Sequence, residues 1–179
     1  GVSAQKPDEA EKMQTKPALL MVLETIQDPG NLGTILRAGE GAGVTGVVMD
    51  ANTTDIYNPK VIRSTMGSVL RMPFVYVENL HETLQELKKR NIRLFAAHLK
   101  GKQAYDLEDY TGNTAFLIGN EGNGLTDETA AMADTYVRIP MEGRVESLNA
   151  AVAASVLMFE AARQRRSAGT AGRETTIKQ

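Results

Sequence analysis

The stretch TAFLIGNEGNGL, residues 114–125, decides how the rest of the chain is read. Its first half is a continuous apolar run of the kind that forms a strand buried on both faces. At Gly119 the run stops and gives way to Asn, Glu and two further glycines. Glycine adopts φ > 0 freely and lets another group come close to the main chain. The loop therefore suits either a tight bend into a following helix, with Thr126 as its cap, or a ligand lying against the backbone. Its spacing is G-x-x-G-x-G. That is neither the dinucleotide fingerprint G-x-G-x-x-G nor the phosphate loop G-x-x-x-x-G-K-[ST].

Working outward, apolar runs at 18–26, 46–50, 74–77, 92–98 and 136–140 read as further strands. Asp28-Pro29-Gly30 reads as a turn, and 31–43 as a helix with Asn31 near its N-cap. Residues 58–70 read as a helix with Pro59 at its first position. Residues 78–91 form an amphipathic helix with Leu80, Leu84 and Leu87 inward. A short helix is expected around 126–134. A last helix is expected over 147–163, capped by Ser147, with Leu148, Val152, Val156 and Phe159 along one stripe. Strands and helices alternate throughout, which predicts an α/β domain with a mostly parallel sheet flanked by helices.

The chain has 179 residues, enough for one domain or one domain with tails. Residues 1–16 are polar and read as a linker or flexible segment, 17–165 as the folded domain, and 166–179 as a flexible tail. The net charge of −2 supplies no global field for a nucleic acid, although a local patch would suffice. There are no cysteines, which excludes disulfides and cysteine-ligated zinc. No apolar run approaches the roughly 20 residues a membrane helix needs, and the first residues are too polar for a signal peptide. A cytoplasmic protein with no membrane and no metal is expected. His81 and His98 lack partner ligands at metal-binding spacing and read as structural or surface residues.

In an open parallel sheet, ligands bind beyond the carboxyl ends of the strands. Three such loops carry unusual residues: QDPGNLGTILR (27–37), IGNEGNGL (118–125) and IPMEGRVESLNAA (139–151). Each has a plain structural reading. Arg37 suits a surface ion pair with Glu40 at i, i+3. The glycines suit a turn. Ser147 and Asn149 suit a capped helix with a small-residue packing face.

The three together, in this order, resemble the SpoU (TrmH-like) branch of the SPOUT RNA 2′-O-methyltransferases. The resemblance rests on NLGTILR, IGNEGNGL and IPMEGRVESLNAAVAAS and covers about residues 18–163; NPKVIRSTMGS (58–68) also resembles the segment between the first two motifs. It implies a deep C-terminal trefoil knot, a homodimer with its active site near the subunit interface, and S-adenosylmethionine held bent inside the knot. It implies methyl transfer to a ribose 2′-hydroxyl of RNA, ribosomal RNA in preference to transfer RNA.

Carried onto this chain, the resemblance makes Leu117, Ile118, Gly119, Asn120, Glu121, Gly122, Ile139, Met141, Ser147, Leu148 and Asn149 the cofactor pocket. Gly119 would let the backbone approach the cofactor. Arg37, Asn31, Glu121, Ser147 and Asn149 become the catalytic set, with Asn31, Arg37 and Arg63 toward RNA. Asn31 or Asn149 would orient Arg37. A guanidinium is almost never neutral in proteins. Arg37 is therefore expected to bind phosphate and stabilise developing alkoxide charge rather than act as a base. Many relatives carry a further N-terminal RNA-binding domain; residues 1–16 resemble the linker after one, and a first residue other than Met suggests a fragment. Two rival readings are an RNA-binding module of the same fold without catalysis, and a nucleotide-binding enzyme of another α/β class.

Overall fold

The computed structural model describes residues 16–176, with side chains through 169. Seven strands form one sheet: β1 (Leu19–Leu23), β2 (Gly46–Asp50), β3 (Phe74–Val77), β4 (Arg93–Ala97), β5 (Gln103–Ala104), β6 (Thr114–Ile118) and β7 (Thr135–Arg138). The helices are α1 (Pro29–Ala42), α2 (Pro59–Thr65), α3 (Leu80–Lys89), α4 (Asp127–Ala131) and α5 (Ala150–Thr176), with 3₁₀ turns at Ser68–Leu70 and Tyr105–Leu107. The spatial order is β3-β2-β1-β6-β4-β7-β5, and every pairing is parallel.

The strands alternate between two cores. Met21, Met49, Phe95 and Phe116 pack with α1 and α5 on one face. Val22, Val48, Leu94 and Leu117 pack with α3 and α4 on the other. Successive strand residues point to opposite faces, so only a continuous apolar run fills both layers. This matches the expected α/β class. The chain leaves β1 toward β2 but leaves β6 toward β7, so adjacent strands send their loops apart and open a crevice at their carboxyl ends. From β7 the chain returns to lay α5 against α1, a passage consistent with the implied knot.

Several expectations are corrected. Asp28 is not part of a turn; it caps α1 by accepting from Asn31 N at 2.8 Å, with Pro29 at the helix start and Asn31 inside the first turn. The segment at 58–70 is not one helix. α2 ends at Thr65, and Met66 and Gly67 adopt left-handed φ of 51° and 91°. Ser64 and Thr65 hydroxyls donate back to Val61 O and Ile62 O, which competes with helix propagation. β5 was not foreseen, because two residues carry no period.

The last helix begins at Ala150. Asn149 caps it, accepting from Ala151 N at 2.8 Å and Val152 N at 3.2 Å, so Ser147 is not the cap. Its buried stripe is Ala151, Ala154, Leu157, Met158 and Ala161, whereas Val152 and Phe159 are each 47% exposed. Three alanines on the inner face let the helix sit close to its neighbours, with Leu157 and Met158 filling the core between them. The helix continues to Thr176, beyond the end at 163 expected from the sequence. Residues 1–15 and 177–179 lie outside the described residues.

Arg165 holds the amino end of the sheet. Its guanidinium donates to Tyr110 O at 3.0 Å, Pro17 O at 2.8 Å, Ala18 O at 3.0 Å and Gly112 O at 2.8 Å. Burial lowers its pKa, yet four carbonyls in a fork suit a cation whose charge is delocalised. Arg165→Ala is expected to cost about 3 kcal/mol of unfolding free energy in urea titration, and Arg165→Lys to recover only part of it.

Candidate functional site

The chain turns sharply after β1. Thr25 has φ 56°, rare for a β-branched residue, and is held there by Asp50, which accepts from Thr25 N at 2.8 Å and Thr25 Oγ1 at 2.7 Å. The kink delivers the chain into the N-terminus of α1 beside the glycine loop after β6. That loop is tied down along its length. Asn120 Nδ2 donates to Thr25 O at 2.8 Å. Glu24, buried at the end of β1, accepts from Thr126 N at 2.6 Å and from the hydroxyls of Thr126 and Thr129.

Glu121 makes the central link. Its carboxylate accepts from Asp28 N at 2.9 Å, Gln27 N at 3.2 Å and Asn31 Nδ2 at 3.3 Å. A helix start offers unsatisfied N–H groups and partial positive charge, so a carboxylate is favoured there. Partial desolvation works to raise the Glu121 pKa, but the N–H groups of Asp28 and Gln27 with the Asn31 amide outweigh it and hold it below the ordinary value. Asn31 Oδ1 in turn accepts from Asn149 Nδ2 at 3.0 Å. One hydrogen-bonded chain thus joins residues from all three motif loops.

Asn149 also caps α5, so α1 and α5 begin side by side. Ten residues further along each, a side chain added at Gly41 would meet Phe159 at 3.5 Å, so the helices run parallel. Two helix N-termini therefore converge beside the Glu121 loop.

A cleft of about 760 Å³ opens among the loops that follow β4, β6 and β7. Ile118, Ile139, Met141, Leu148 and Leu157 supply apolar wall, and Gly119 to Gly124 supply main chain. Ser147 lines it as well. Apolar faces with a rim of backbone donors and acceptors suit a small, flat, partly polar ligand. Leu117 is fully buried in the core on the α3 side and does not line the cleft; neither does Asn149. The loop after β4, from Ala97 to Lys100, forms a wall that sequence reading missed. Its side chains have no distinguishing spacing, although His98 stacks on Tyr136 at 5.0 Å and its Nδ1 accepts from Lys100 N at 3.1 Å.

Gly119 meets a structural demand beside the ligand approach expected of it. A Cβ there would lie 2.0 Å from Leu125 N and 2.1 Å from Gly124 C. The loop closes on itself through Asn120 N to Gly124 O at 3.1 Å and Gly124 N to Asn120 O at 2.8 Å. The absent side chain makes room for the returning loop, and the same residue lines the cleft. Gly33 likewise admits Ser64, whose Oγ would sit 1.6 Å from an added Cβ.

Arg37 lies apart from the cleft. It is exposed on α1, six residues and about 120° around the helix from Asn31. It makes no hydrogen bond or ion pair among the described residues. The expected pairing with Glu40 does not form, because Glu40 is taken by Ser68 and Arg71. Arg63 is exposed on α2, also outside the cleft. Neither asparagine orients Arg37 within one chain.

Gly119→Ala is expected to open the loop: thermal denaturation should show a loss of about 2 kcal/mol, as in other overpacked sites, and small ligands should lose their cleft. Glu121 gives a pH signature. Its folded pKa lies below the ordinary 4.5, so its contribution is complete above that value and is lost as pH falls through the folded pKa. The stability difference between the unaltered chain and Glu121→Gln, read from denaturant midpoints, should be constant at neutral pH and shrink below about pH 4.5.

Comparison with known proteins places this geometry. The model of the SpoU rRNA Methylase family matches residues 18–159. A curated relative, the 23S rRNA (guanosine-2'-O-)-methyltransferase RlmB of Xylella fastidiosa, is 40% identical over 148 residues, covering 83% of this chain and 59% of that protein. The chain thus spans about three-fifths of the length of the curated relatives it matches. Among solved structures, the SpoU methyltransferase AviRb from Streptomyces viridochromogenes, in complex with AdoMet, superposes with a TM-score of 0.80 at 33% identity over 92% of this chain and 66% of that one. The AdoMet-bound rRNA methyltransferase from Sinorhizobium meliloti gives 0.79 at 36% identity over 83% and 57% of the two chains. With the motif loops joined as described and a family match across most of its length, this chain belongs to the SpoU rRNA methylase family.

Proposed function

We propose that this chain transfers a methyl group from S-adenosylmethionine to a ribose 2′-hydroxyl of RNA, with ribosomal RNA as the substrate. The observation that carries the reading is the cleft whose walls are the second and third motif loops, locked to the first by Glu121, Asn31 and Asn149. The names of the relatives above support both the cofactor and the substrate class. Residues 17–165 are the methyltransferase domain in this proposal.

The residues present fit the cofactor. The cleft has the volume of an ordinary small-molecule site. Ile118, Ile139, Met141 and Leu148 would sandwich the adenosine, while main-chain groups of 118–122 read its polar edge. When bound, the sulfonium supplies an already activated methyl group. The chain's own task is to place the hydroxyl in line and to accommodate its developing negative charge. Asn149, Asn31 and Glu121 hold the loops in register, Ser147 stands free at the cleft wall, and Arg37 acts as a cation on phosphate and alkoxide. Arg63 contacts RNA phosphate.

Arg37 lies outside the cleft of its own chain, which favours a site completed by a second copy. The exposed Val152 and Phe159 on α5, beside Gly41 on the face of α1 that also carries Arg37, form an apolar stripe suited to such a homodimer. The protein works in the cytoplasm, where its RNA is found; among the described residues no helix is long and apolar enough to cross a membrane.

Calorimetry with S-adenosylmethionine should give about one site per protomer, weakened by Asn149→Ala. Arg37→Ala should lower methyl transfer by about 100-fold with cofactor affinity preserved. Mixing Arg37→Ala and Asn149→Ala protomers should restore part of the turnover, because one mixed site then holds both intact residues. A folded chain that ignores the cofactor would instead favour an RNA-binding module without catalysis.

A further inference from the structure

We infer that Lys100, Lys102 and Arg138, with Arg144, form a phosphate-binding rim at the mouth of the cleft that engages the backbone of the RNA. This rests on the methyl-transfer reading and names a contact surface for its substrate. The geometry starts at Gly101, which is buried; a Cβ there would lie 2.9 Å from Arg138 N. The short β5 then pairs Ala104 with Arg138. Lys100 and Lys102 therefore flank the main chain of Arg138. Arg144 joins them from the loop after β7, and Lys100, Arg138 and Arg144 all border the cleft.

All four side chains belong to exposed residues, and none has a hydrogen-bonding or ionic partner among the described residues. Elsewhere Arg71, Lys88, Lys89, Arg93 and Arg163 are paired with Glu40, Asp134, Glu86, Glu108 and Glu160, whereas Arg37, Lys60, Arg63 and Arg90 are not ion-paired among the described residues but do not border the cleft. The acids near the rim are Glu142 and Glu146, exposed in the same loop as Arg144, and Glu121, whose carboxylate is turned onto α1. Four free cations thus collect at one edge of a chain whose net charge is −2. A single carboxylate on a small ligand needs one such partner. A polyanion rewards several at once, because each neutralised phosphate releases counterions. Long cationic side chains at the surface position a strand without reading its bases.

The test is a fluorescence-anisotropy titration with a short labelled single-stranded RNA of mixed sequence, repeated across a salt series. The unaltered chain is compared with Lys100→Gln/Lys102→Gln/Arg138→Gln and with the control Lys88→Gln/Lys89→Gln on α3. The triple variant should bind about tenfold more weakly at low salt, and its slope of log affinity against log salt should fall by about two, at roughly 0.7 per lost contact. The control should keep both affinity and slope. An unchanged slope, an equal loss in the control, or no RNA binding by the unaltered chain at low salt would overturn the rim. So would loss of S-adenosylmethionine affinity with RNA binding retained, which would assign these cations to the cofactor. A chain that binds RNA through the rim but takes no cofactor would retire the methyl-transfer reading and leave the rim standing.

Discussion

One carboxylate holds the candidate site together. Glu121 sits on a glycine loop with few side chains to anchor it, and its oxygens reach the N–H groups of Gln27 and of Asp28, the residue that caps α1. A helix start needs acceptors, and a loop of this composition needs anchors. The same contact meets both needs. It also sets Asn31 so that its carbonyl oxygen meets the Asn149 amide, which places the start of α5 beside the start of α1. The cleft walls descend from that arrangement, since residues 139–148 must reach Asn149 from β7.

The sheet order makes this possible. β6 lies directly against β1, although 90 residues separate the end of β1 from the start of β6. Their carboxyl ends open side by side, so the Glu24 carboxylate reaches Thr126 and the Asn120 amide reaches Thr25. The strained Thr25 fits the same picture. Asp50 from β2 offers its carboxylate to the Thr25 N–H and hydroxyl, and that offsets the cost of a left-handed β-branched residue. Rigid strand ends thus supply the precision that glycine-rich loops lack.

Much of the architecture was legible. Strands such as GVVMD and TAFLI match their apolar runs, because a strand buried on two faces has no freedom to be polar. Boundaries at caps were less legible. Asp28, Asn31, Ser147 and Asn149 are all competent caps by type, and the choice among them depends on which neighbour occupies the other side-chain atoms. Asn149 caps α5 because its amide is held by Asn31, 118 residues away. The stripe on α5 was misassigned for a related reason. Val152 and Phe159 are apolar, but the inner surface takes the face of that helix that carries Ala151, Ala154, Leu157, Met158 and Ala161.

By itself the sequence determined the α/β class, the three motif loops and the family, since these depend on local period and on residue identity at short spacing. Tertiary structure decided which chemistry meets which. It made Gly119 the space for the loop's own return as well as part of the cleft wall, gave Glu40 to Arg71, and left Arg37 outside the cleft of its own chain. It also gathered Lys100, Lys102 and Arg138 at one edge. The physical reason is that Glu40 with Arg71 and Gly101 with Arg138 are contacts between residues far apart in the chain, whose partner no local propensity records, and that even the local closure of Gly119 onto Leu125 depends on a loop path no propensity gives.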